Sequence, residues 1–155
     1  MKFTPDHIER LRLNEVFVFE SNLAGRHWHG CARQAKREFG AADGHFEGLT
    51  GCCYAIPVKD GQMHYLPLDV IEASIARFLA HARERPAWFY SVTKIGCAAH
   101  FATYGHRVED IAPLFFRHGH IPVNISLPKE FWTHRHAKAA VPTILIQPPS
   151  AAISV

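Results

Sequence analysis

The chain has 155 residues, of which 48% are hydrophobic and 20% charged, and its net charge is +3. This composition is typical of one globular domain. No apolar stretch approaches the ~20 residues that span a bilayer, so we expect a soluble protein without membrane contact. The charge permits an anionic ligand, but without a dense Lys/Arg run it does not demand nucleic acid. The N-terminal sequence lacks the apolar run of a secretory signal, which predicts a cytoplasmic protein.

In the first half of the chain, the predicted elements alternate between helix and strand. Thr4 and Pro5 have the residue types of an N-cap and a first helical position, so we expect a short helix after them. The run EVFVFE predicts a strand over 15–20, and the apolar spacing of CARQAKREF predicts a helix over 30–39 that the following glycine ends. The run CCYAIPVKD predicts a second strand over 52–60.

The second half of the chain continues this alternation. The apolar stripe of residues 69–84 predicts the longest helix, with Asp69 as its N-cap and Glu72 completing a capping box. The remaining predicted elements are strands over 87–93 and 123–128, a long loop over 94–106 and a helix over 107–116. Pro113 should lie near the first turn of the last helix, because proline is tolerated there.

Strands that alternate with helices predict an α/β fold with a mostly parallel central sheet and helices on both faces. After Trp132 the sequence becomes poor in charge, and its strand-like run TILIQ is bounded by proline. We therefore divide the chain into an α/β domain over 1–132 and a C-terminal extension over 133–155. The extension is an edge strand, a subunit contact or a loose tail, and the sequence leaves the oligomeric state open.

Two units of strand, glycine loop and helix, at 22–30 and 96–105, are the candidate binding elements. The N–H groups at a helix N-terminus carry partial positive charge, and glycine lets a phosphate approach them. Because both units would open at the C-terminal ends of parallel strands, they would suit a diphosphate. The alternative is that these glycines only form turns.

An ordered set of motifs strengthens the first interpretation: NLAGRHWHGCARQAKREFG, CCYAIPVKD, the 69–84 helix, and KIGC followed by VEDIAPLFF. Over residues 15–131 this set resembles a macro domain, in particular the branch that contains the terminal ADP-ribose glycohydrolases. It is also similar to an uncharacterised, often phage-encoded family with a Gly-Ser-Asn-Leu-Ala-Gly-Arg-His motif. The resemblance implies a three-layer macro-domain fold that binds ADP-ribose or a related NAD-derived nucleotide.

The resemblance also implies roles for individual residues. Asn22 would face the distal ribose, Gly30 and Cys31 would offer N–H groups to phosphate, and the 96–105 loop would close over the diphosphate. The predicted ligand-binding set is Ser21, Asn22, Gly25, Trp28, Gly30, Cys31, Gly96, Cys97, Tyr104 and Gly105.

Lys59 matches a lysine that forms a covalent sugar adduct in the glycohydrolase branch. An amine attacks carbon only when it is uncharged, a state that neighbouring cations such as Lys94 and Arg26 would favour. The alternative is an ordinary solvated lysine. Three functions therefore stay open: nucleotide binding with slow or no turnover, ADP-ribosyl hydrolysis through Lys59, and an interaction or nucleic-acid-binding role on the same fold.

The chain departs from the hydrolase pattern after KIGC. Where the hydrolases have an aspartate, this sequence reads AAH and ends that triplet in His100. We therefore predict His100 as the second catalytic residue, with His106, Glu109 or Asp110 as alternatives. The last two are equally explained as first-turn residues that complement the helix dipole.

Three further features are open to more than one interpretation. Trp28 replaces a small residue before the helix, and it either stacks on a base or ribose or anchors the loop. The cysteines are expected to be small core residues: Cys31, Cys52, Cys53 and Cys97. The chain also has three H-x-H pairs, His27/His29, His118/His120 and His134/His136. Because each pair supplies only two metal ligands, we predict no metal site, and no cofactor is indicated.

Overall fold

The computed structural model describes residues 1–97 and 105–137. Its strands are β1 (Glu15–Asn22), β2 (Gly48–Thr50), β3 (Cys53–Lys59), β4 (Phe89–Val92) and β5 (Ile125–Ser126). They form one sheet in the order β2-β3-β1-β4-β5. Only β2 is antiparallel to its neighbour, while β1 pairs in parallel with both β3 and β4, and β4 with β5. The predicted, mostly parallel sheet is confirmed.

The helices of the described residues are α1 (Gly30–Phe39), α2 (Leu68–Arg83), α3 (Val108–Phe116) and α4 (Lys129–Thr133). The first three confirm the helices predicted over 30–39, 69–84 and 107–116, with ends that differ by at most one residue. α1 stops where Gly40 adopts a left-handed conformation, with φ at 84°. Within the part of the chain that the structure describes, no helix is long and apolar enough to cross a membrane.

The alternation of side chains along β1 builds two cores. Val16 and Val18 face the side that α2 and α3 cover, whereas Phe17 and Phe19 face α1. All four side chains are buried, and burial of each contributes roughly 1.5–3 kcal/mol to folding. Helices therefore cover both faces of the sheet, as predicted for a three-layer α/β fold.

A buried asparagine joins the end of α2 to the sheet. The side-chain amide of Asn124 donates to three backbone carbonyls, those of Ala82, Arg85 and Trp88, at 3.0, 3.1 and 2.9 Å. Its backbone carbonyl accepts a hydrogen bond from the N–H of Tyr90 at 2.8 Å. One side chain thereby fixes the turn between α2 and β4.

The predicted capping box of the longest helix is wrong. Pro67 is the N-cap of α2 and provides no side-chain cap, and Asp69 lies inside the first turn. Glu72 instead accepts a hydrogen bond from the guanidinium group of Arg117, at 2.7 Å, beyond the end of α3. Glu72 therefore pairs with Arg117, 45 positions away in the sequence, rather than with the N-terminus of its own helix.

The short helix predicted after Thr4 and Pro5 does not form. The N–H of Thr4 donates to the carbonyl of Leu127 at 2.9 Å, and its hydroxyl donates to that of Ser126 at 3.2 Å. Ile8 is buried against the α1 side of the core. Contacts with the edge of the sheet therefore override the local helix signal.

Other boundaries also differ from prediction. β2 and α4 were not predicted, and the strands expected over 87–93 and 123–128 shorten to β4 and β5. Pro113 lies in the second turn of α3 rather than near its first, where it removes one N–H donor from the helix. Residues 98–104 and 138–155 lie outside the described residues, so the interpretation of the extension over 133–155 stays a prediction.

Candidate functional site

The C-terminal ends of β1 and β3 lie side by side at one end of the sheet. Asn22 is the register partner of Lys59, and the N–H of Leu23 donates to the carbonyl of Lys59 at 2.9 Å. A register shift between Ser21 and Asn22 changes the direction of the side chains that follow. The parallel pairing thus brings together two residues that are far apart in sequence.

A cavity of about 110 Å³, here called the strand-end cavity, lies at this end of the sheet. Its lining residues are Glu20, Ser21, Asn22, Arg26, His29, Gly30, Ala32, Lys59 and Met63. Four of them belong to the predicted site: Ser21, Asn22, Gly30 and Lys59. The volume is below the roughly 300–1,000 Å³ of a typical small-molecule site, so this cavity suits one sugar or phosphate group of a larger ligand.

The loop between β1 and α1 is held by its own polar groups. The side-chain amide of Asn22 donates to the carbonyl of Arg26 at 2.8 Å and accepts from its N–H at 3.1 Å. Gly25 has φ at 63°, and a Cβ there would lie 2.6 Å from the backbone of Gly44. Asn22 and Gly25, both predicted to bind the ligand, therefore stabilise the conformation of the loop.

His27 and Ser21 anchor the same loop. The Nε2 atom of the buried His27 lies 3.0 Å from the carbonyl oxygen of Ala42 and 3.2 Å from that of His45. The hydroxyl of Ser21 donates to the carbonyl of Phe46. Two predicted site features, one H-x-H histidine and Ser21, thus brace the loop against the segment before β2.

Trp28 does not anchor this loop, so that interpretation is wrong. Its side chain is at the surface, with 57% of the residue exposed, and the guanidinium carbon of Arg26 lies 5.4 Å from its ring centre. An exposed indole ring beside an arginine is able to stack on a planar ligand.

Glu20 is a site residue that the sequence prediction missed. It follows Val16 and Val18 on one face of β1, yet it lines the strand-end cavity, and its Oε2 accepts a hydrogen bond from the N–H of Gly96 at 2.9 Å. Burial raises the pKa of Glu20, while the Gly96 N–H and the charge of Lys59 act in the opposite direction. The sequence feature that could have identified Glu20 is its position two residues after Val18, which places a carboxylate on the strand face that Val16 and Val18 share.

The first turn of α1 separates the strand-end cavity from a second cavity of about 200 Å³. This α1 cavity is lined in part by Cys31, Thr93 and Lys94. Among residues 1–97 and 105–137, apart from the chain neighbours of Gly30 and the backbone of α1, no atom lies within 4 Å of the position that a Cβ on Gly30 would take, and the first turn contains no acidic residue. The start of α1 is therefore open beside Gly30 and has no acidic side chain in its first turn, which suits an anion, and the two cavities together reach the lower end of the usual ligand-site range of roughly 300 Å³.

Lys94, expected from the sequence to act on Lys59, pairs instead with carboxylates that do not line the strand-end cavity. The ammonium group of Lys94 pairs with Glu130 at 2.7 Å and with Asp6 at 3.4 Å. The hydrogen bond to Glu130 is the main cause that raises the pKa of Lys94. Its charge is therefore directed to the N-terminal segment and to α4.

The cysteines are not uniformly core residues, as the sequence had suggested. Cys53 is buried, Cys97 is half-buried, and burial raises the pKa of each thiol to about 12. Cys31 and Cys52 are exposed residues, which contradicts the prediction for these two. Desolvation of the thiol and the negative charge of Glu20 nevertheless raise the pKa of Cys31.

The second glycine loop is described only at its two ends. Gly96 is tied to Glu20, Cys97 forms an isolated bridge with His106, and Gly105 is exposed. His100 and Tyr104, predicted as catalytic and ligand-binding, lie outside the described residues.

The alternatives to His100 have structural contacts of their own. The Nε2 atom of His106 lies 2.7 Å from the carbonyl oxygen of Leu66. Asp110 accepts a hydrogen bond from the N–H of Arg107 at 2.9 Å, so it caps α3. Glu109 also lies in the first turn of α3. The helix-start interpretation therefore holds for Asp110.

The histidine pairs supply no complete metal site among the described residues. No group of three or more His, Cys, Asp or Glu residues in 1–97 and 105–137 is arranged to hold a metal ion. His118 lies 3.3 Å from Glu72, in the cluster with Arg117, and His29 is the N-cap of α1.

No protein-family model, no curated protein and no solved structure matches the chain.

Proposed function

We propose that the protein binds ADP-ribose or a related NAD-derived nucleotide, in the manner of a macro domain, at the strand-end and α1 cavities. The observation that carries the proposal is the meeting of the β1–α1 loop, Gly30 and Lys59 at the C-terminal ends of parallel strands. Open α/β sheets bind nucleotides at this end, in the crevice beside the first glycine loop.

The surroundings of the two cavities suit the parts of such a ligand. The distal ribose fits the strand-end cavity by size, and the diphosphate suits the N–H groups of α1, with Arg26 and Lys59 nearby as cations. The exposed ring of Trp28 offers a stacking surface to the base. In this arrangement most of the affinity comes from backbone N–H groups and from stacking.

Calorimetric titration with ADP-ribose tests this function. Arg26→Glu reverses an exposed charge at the cavity, and we expect it to weaken binding about tenfold, or 1.4 kcal/mol. Arg37→Glu makes the same change in the last turn of α1, away from both cavities, and should leave the affinity unchanged. Equal effects of the two variants would indicate a general response to charge rather than a site.

The nucleic-acid alternative gives a different result. A protein that contacts phosphates along a nucleic acid loses affinity steeply as salt increases, and it would do so here without binding ADP-ribose. Undetectable ADP-ribose binding together with strongly salt-dependent binding of an oligonucleotide would replace the proposed function with this one.

A further inference from the structure

A cavity of about 550 Å³ lies at the opposite end of β1 from the strand-end cavity. This strand-start cavity is enclosed between the N-terminal segment 2–13 and the first residues of β1 and β4, which are Glu15 and Phe89. Its volume falls within the range of typical small-molecule sites and exceeds that of the strand-end and α1 cavities together. The proposed nucleotide site does not use it.

The floor of the strand-start cavity is a part of the sheet. Ser91 is the register partner of Phe17, and Ser126 is the partner of Ser91, so these three residues share one face. On that face α1 packs against β1 and β3. The N-terminal segment, rather than a helix, crosses the face at β4 and β5, and the space beneath it is the cavity.

Three contacts hold the N-terminal segment above this floor. Thr4 binds it to the end of β5, as described above. The side-chain amide of Gln34 donates to the carbonyl of the buried Ile8 at 2.7 Å, which binds the middle of the segment to α1. The N–H of Arg12 donates to the carboxylate of Glu15 at 2.8 Å, which binds its end to β1. The cavity is therefore formed before any ligand enters.

The polar groups of the floor bond to one another. The hydroxyl of Ser91 donates to Glu15 at 2.6 Å, and the other carboxylate oxygen of Glu15 accepts the N–H of Arg12. The hydroxyl of Ser126 lies 3.4 Å from that of Ser91 and accepts a hydrogen bond from the hydroxyl of Thr4. Because these groups satisfy one another, recognition of a ligand falls to the rings and cations around the floor.

Two aromatic rings supply apolar surface to the cavity. Phe3 and Phe89 both line it, yet 51% and 48% of these residues are exposed. Exposed aromatic side chains in a concave site offer a surface on which a planar ligand ring packs. The apolar side chain of Leu13 also lines the cavity. These side chains indicate a ligand with a flat apolar part.

Three cationic residues line the same cavity: Lys2, Arg10 and Arg12. Among residues 1–97 and 105–137, none of the three forms an ion pair. The ammonium nitrogen of Lys2 lies 5.0 Å from the ring centre of Phe89, so a positive charge is held beside the apolar wall. Two carboxylates, Glu9 and Glu15, also line the cavity, and both oxygens of Glu15 already accept hydrogen bonds. The balance of charge favours an anion.

We propose that the strand-start cavity is a second binding site, and that its ligand is a small aromatic anion: a planar ring that carries a carboxylate, sulfonate or phosphate group. The ring packs against Phe3 and Phe89, and the anionic group lies between Lys2 and Arg12. The site shares no lining residue with the strand-end cavity, so it extends the function of the protein beyond the proposed nucleotide site.

Fluorescence titration with two related probes tests this site. Anilinonaphthalene sulfonate is an aromatic anion, and N-phenylnaphthylamine has the same rings without the charge. Lys2→Gln combined with Arg12→Gln should weaken binding of the sulfonate about tenfold and change that of the uncharged probe by less than about twofold. Phe89→Ser should weaken both probes about tenfold, because both have rings to pack. All three positions line the strand-start cavity but neither the α1 nor the strand-end cavity.

Two matched variants are the controls. Arg33→Gln combined with Arg37→Gln removes the same charge from exposed positions on α1, outside the cavity. Phe46→Ser removes a ring with a similar exposed fraction, 42%, also outside the cavity. Both should leave the affinity for both probes unchanged. Because every substituted residue is exposed, each variant should keep the native circular dichroism spectrum.

Several results would overturn the proposal. One is the absence of saturable binding of the sulfonate to the native protein. Another is a charge variant that weakens the uncharged probe as much as the sulfonate, since the cations would then not recognise the anionic group. Equal losses in the cavity variants and their controls would show binding elsewhere on the surface. Binding of a single-stranded oligonucleotide but not of the sulfonate, lost in the same cavity variants, would replace the small ligand with nucleic acid.

Discussion

Replacement of Gly25 with alanine should destabilise the fold through two separate effects. The φ of 63° costs a residue with a Cβ about 1–2 kcal/mol. The new Cβ would also lie 2.6 Å from the backbone of Gly44, whose N–H donates to the carbonyl of Gly25 at 2.9 Å. Relief of that clash separates the two segments and breaks the hydrogen bond, which costs about 1 kcal/mol more. We expect the free energy of unfolding to fall by about 2–3 kcal/mol.

Gly30→Ala is the matched control, because it isolates the backbone effect. Gly30 also has a positive φ, at 52°, but beyond its chain neighbours and the backbone of α1 a Cβ there meets no atom of the described part of the chain within 4 Å. Urea denaturation followed by tryptophan fluorescence should therefore show a loss of about 1–2 kcal/mol for Gly30→Ala, clearly below that of Gly25→Ala. Equal losses in the two variants would refute the contact between Gly25 and Gly44 as the cause.

Three further outcomes are expected. Lys59→Ala should abolish any ADP-ribose adduct trapped by borohydride, as seen by mass spectrometry, and change non-covalent affinity by less than about tenfold; rapid hydrolysis by this variant would exclude Lys59 as the nucleophile. Asn124→Ala takes one donor from each of three carbonyls, of which those of Ala82 and Arg85 keep a backbone donor, and should cost about 1–3 kcal/mol in urea denaturation, against under about 0.5 kcal/mol for Val123→Ala at an exposed position. Glu20→Gln should gain stability relative to the native protein as the pH rises above 4.5, the ordinary carboxyl pKa, because the folded state raises the pKa of Glu20 and its ionisation therefore costs native stability. Denaturation curves between about pH 4 and pH 8 measure this, and a difference independent of pH would contradict it.

The elements that the sequence predicted well are those whose signals are local and repeated. The alternating valines and phenylalanines of β1 and the small-residue face of α1 each point to a buried surface. The glycine after α1 permits the left-handed end of that helix. From these elements the parallel order followed, and with it the approach of Lys59 to the β1–α1 loop.

The features that prediction missed depend on partners far away in the sequence. The segment after Thr4 joins the sheet edge through Leu127 and Ser126, so its helix signal has no effect. Glu20 accepts a hydrogen bond from the N–H of Gly96, which lies 76 positions later in the sequence, and no local pattern indicates that contact. The sequence allowed Trp28 to be a loop anchor, but in the structure Trp28 is exposed. The buried His27 holds the loop instead, because its Nε2 atom contacts two backbone carbonyls.

The bond between Glu20 and Gly96 joins residues 76 positions apart, which has a consequence for synthesis on the ribosome. Strands β1 and β3 emerge first, but the Glu20 carboxylate receives its hydrogen bond only after β4 and Gly96 have followed. At the usual rate of translation, the 37 residues from Lys59 to Gly96 take roughly 2–7 s. During that interval the β4-facing edge of β1 is unpaired and the Glu20 carboxylate lacks its N–H donor, so the nascent chain is open to chaperones.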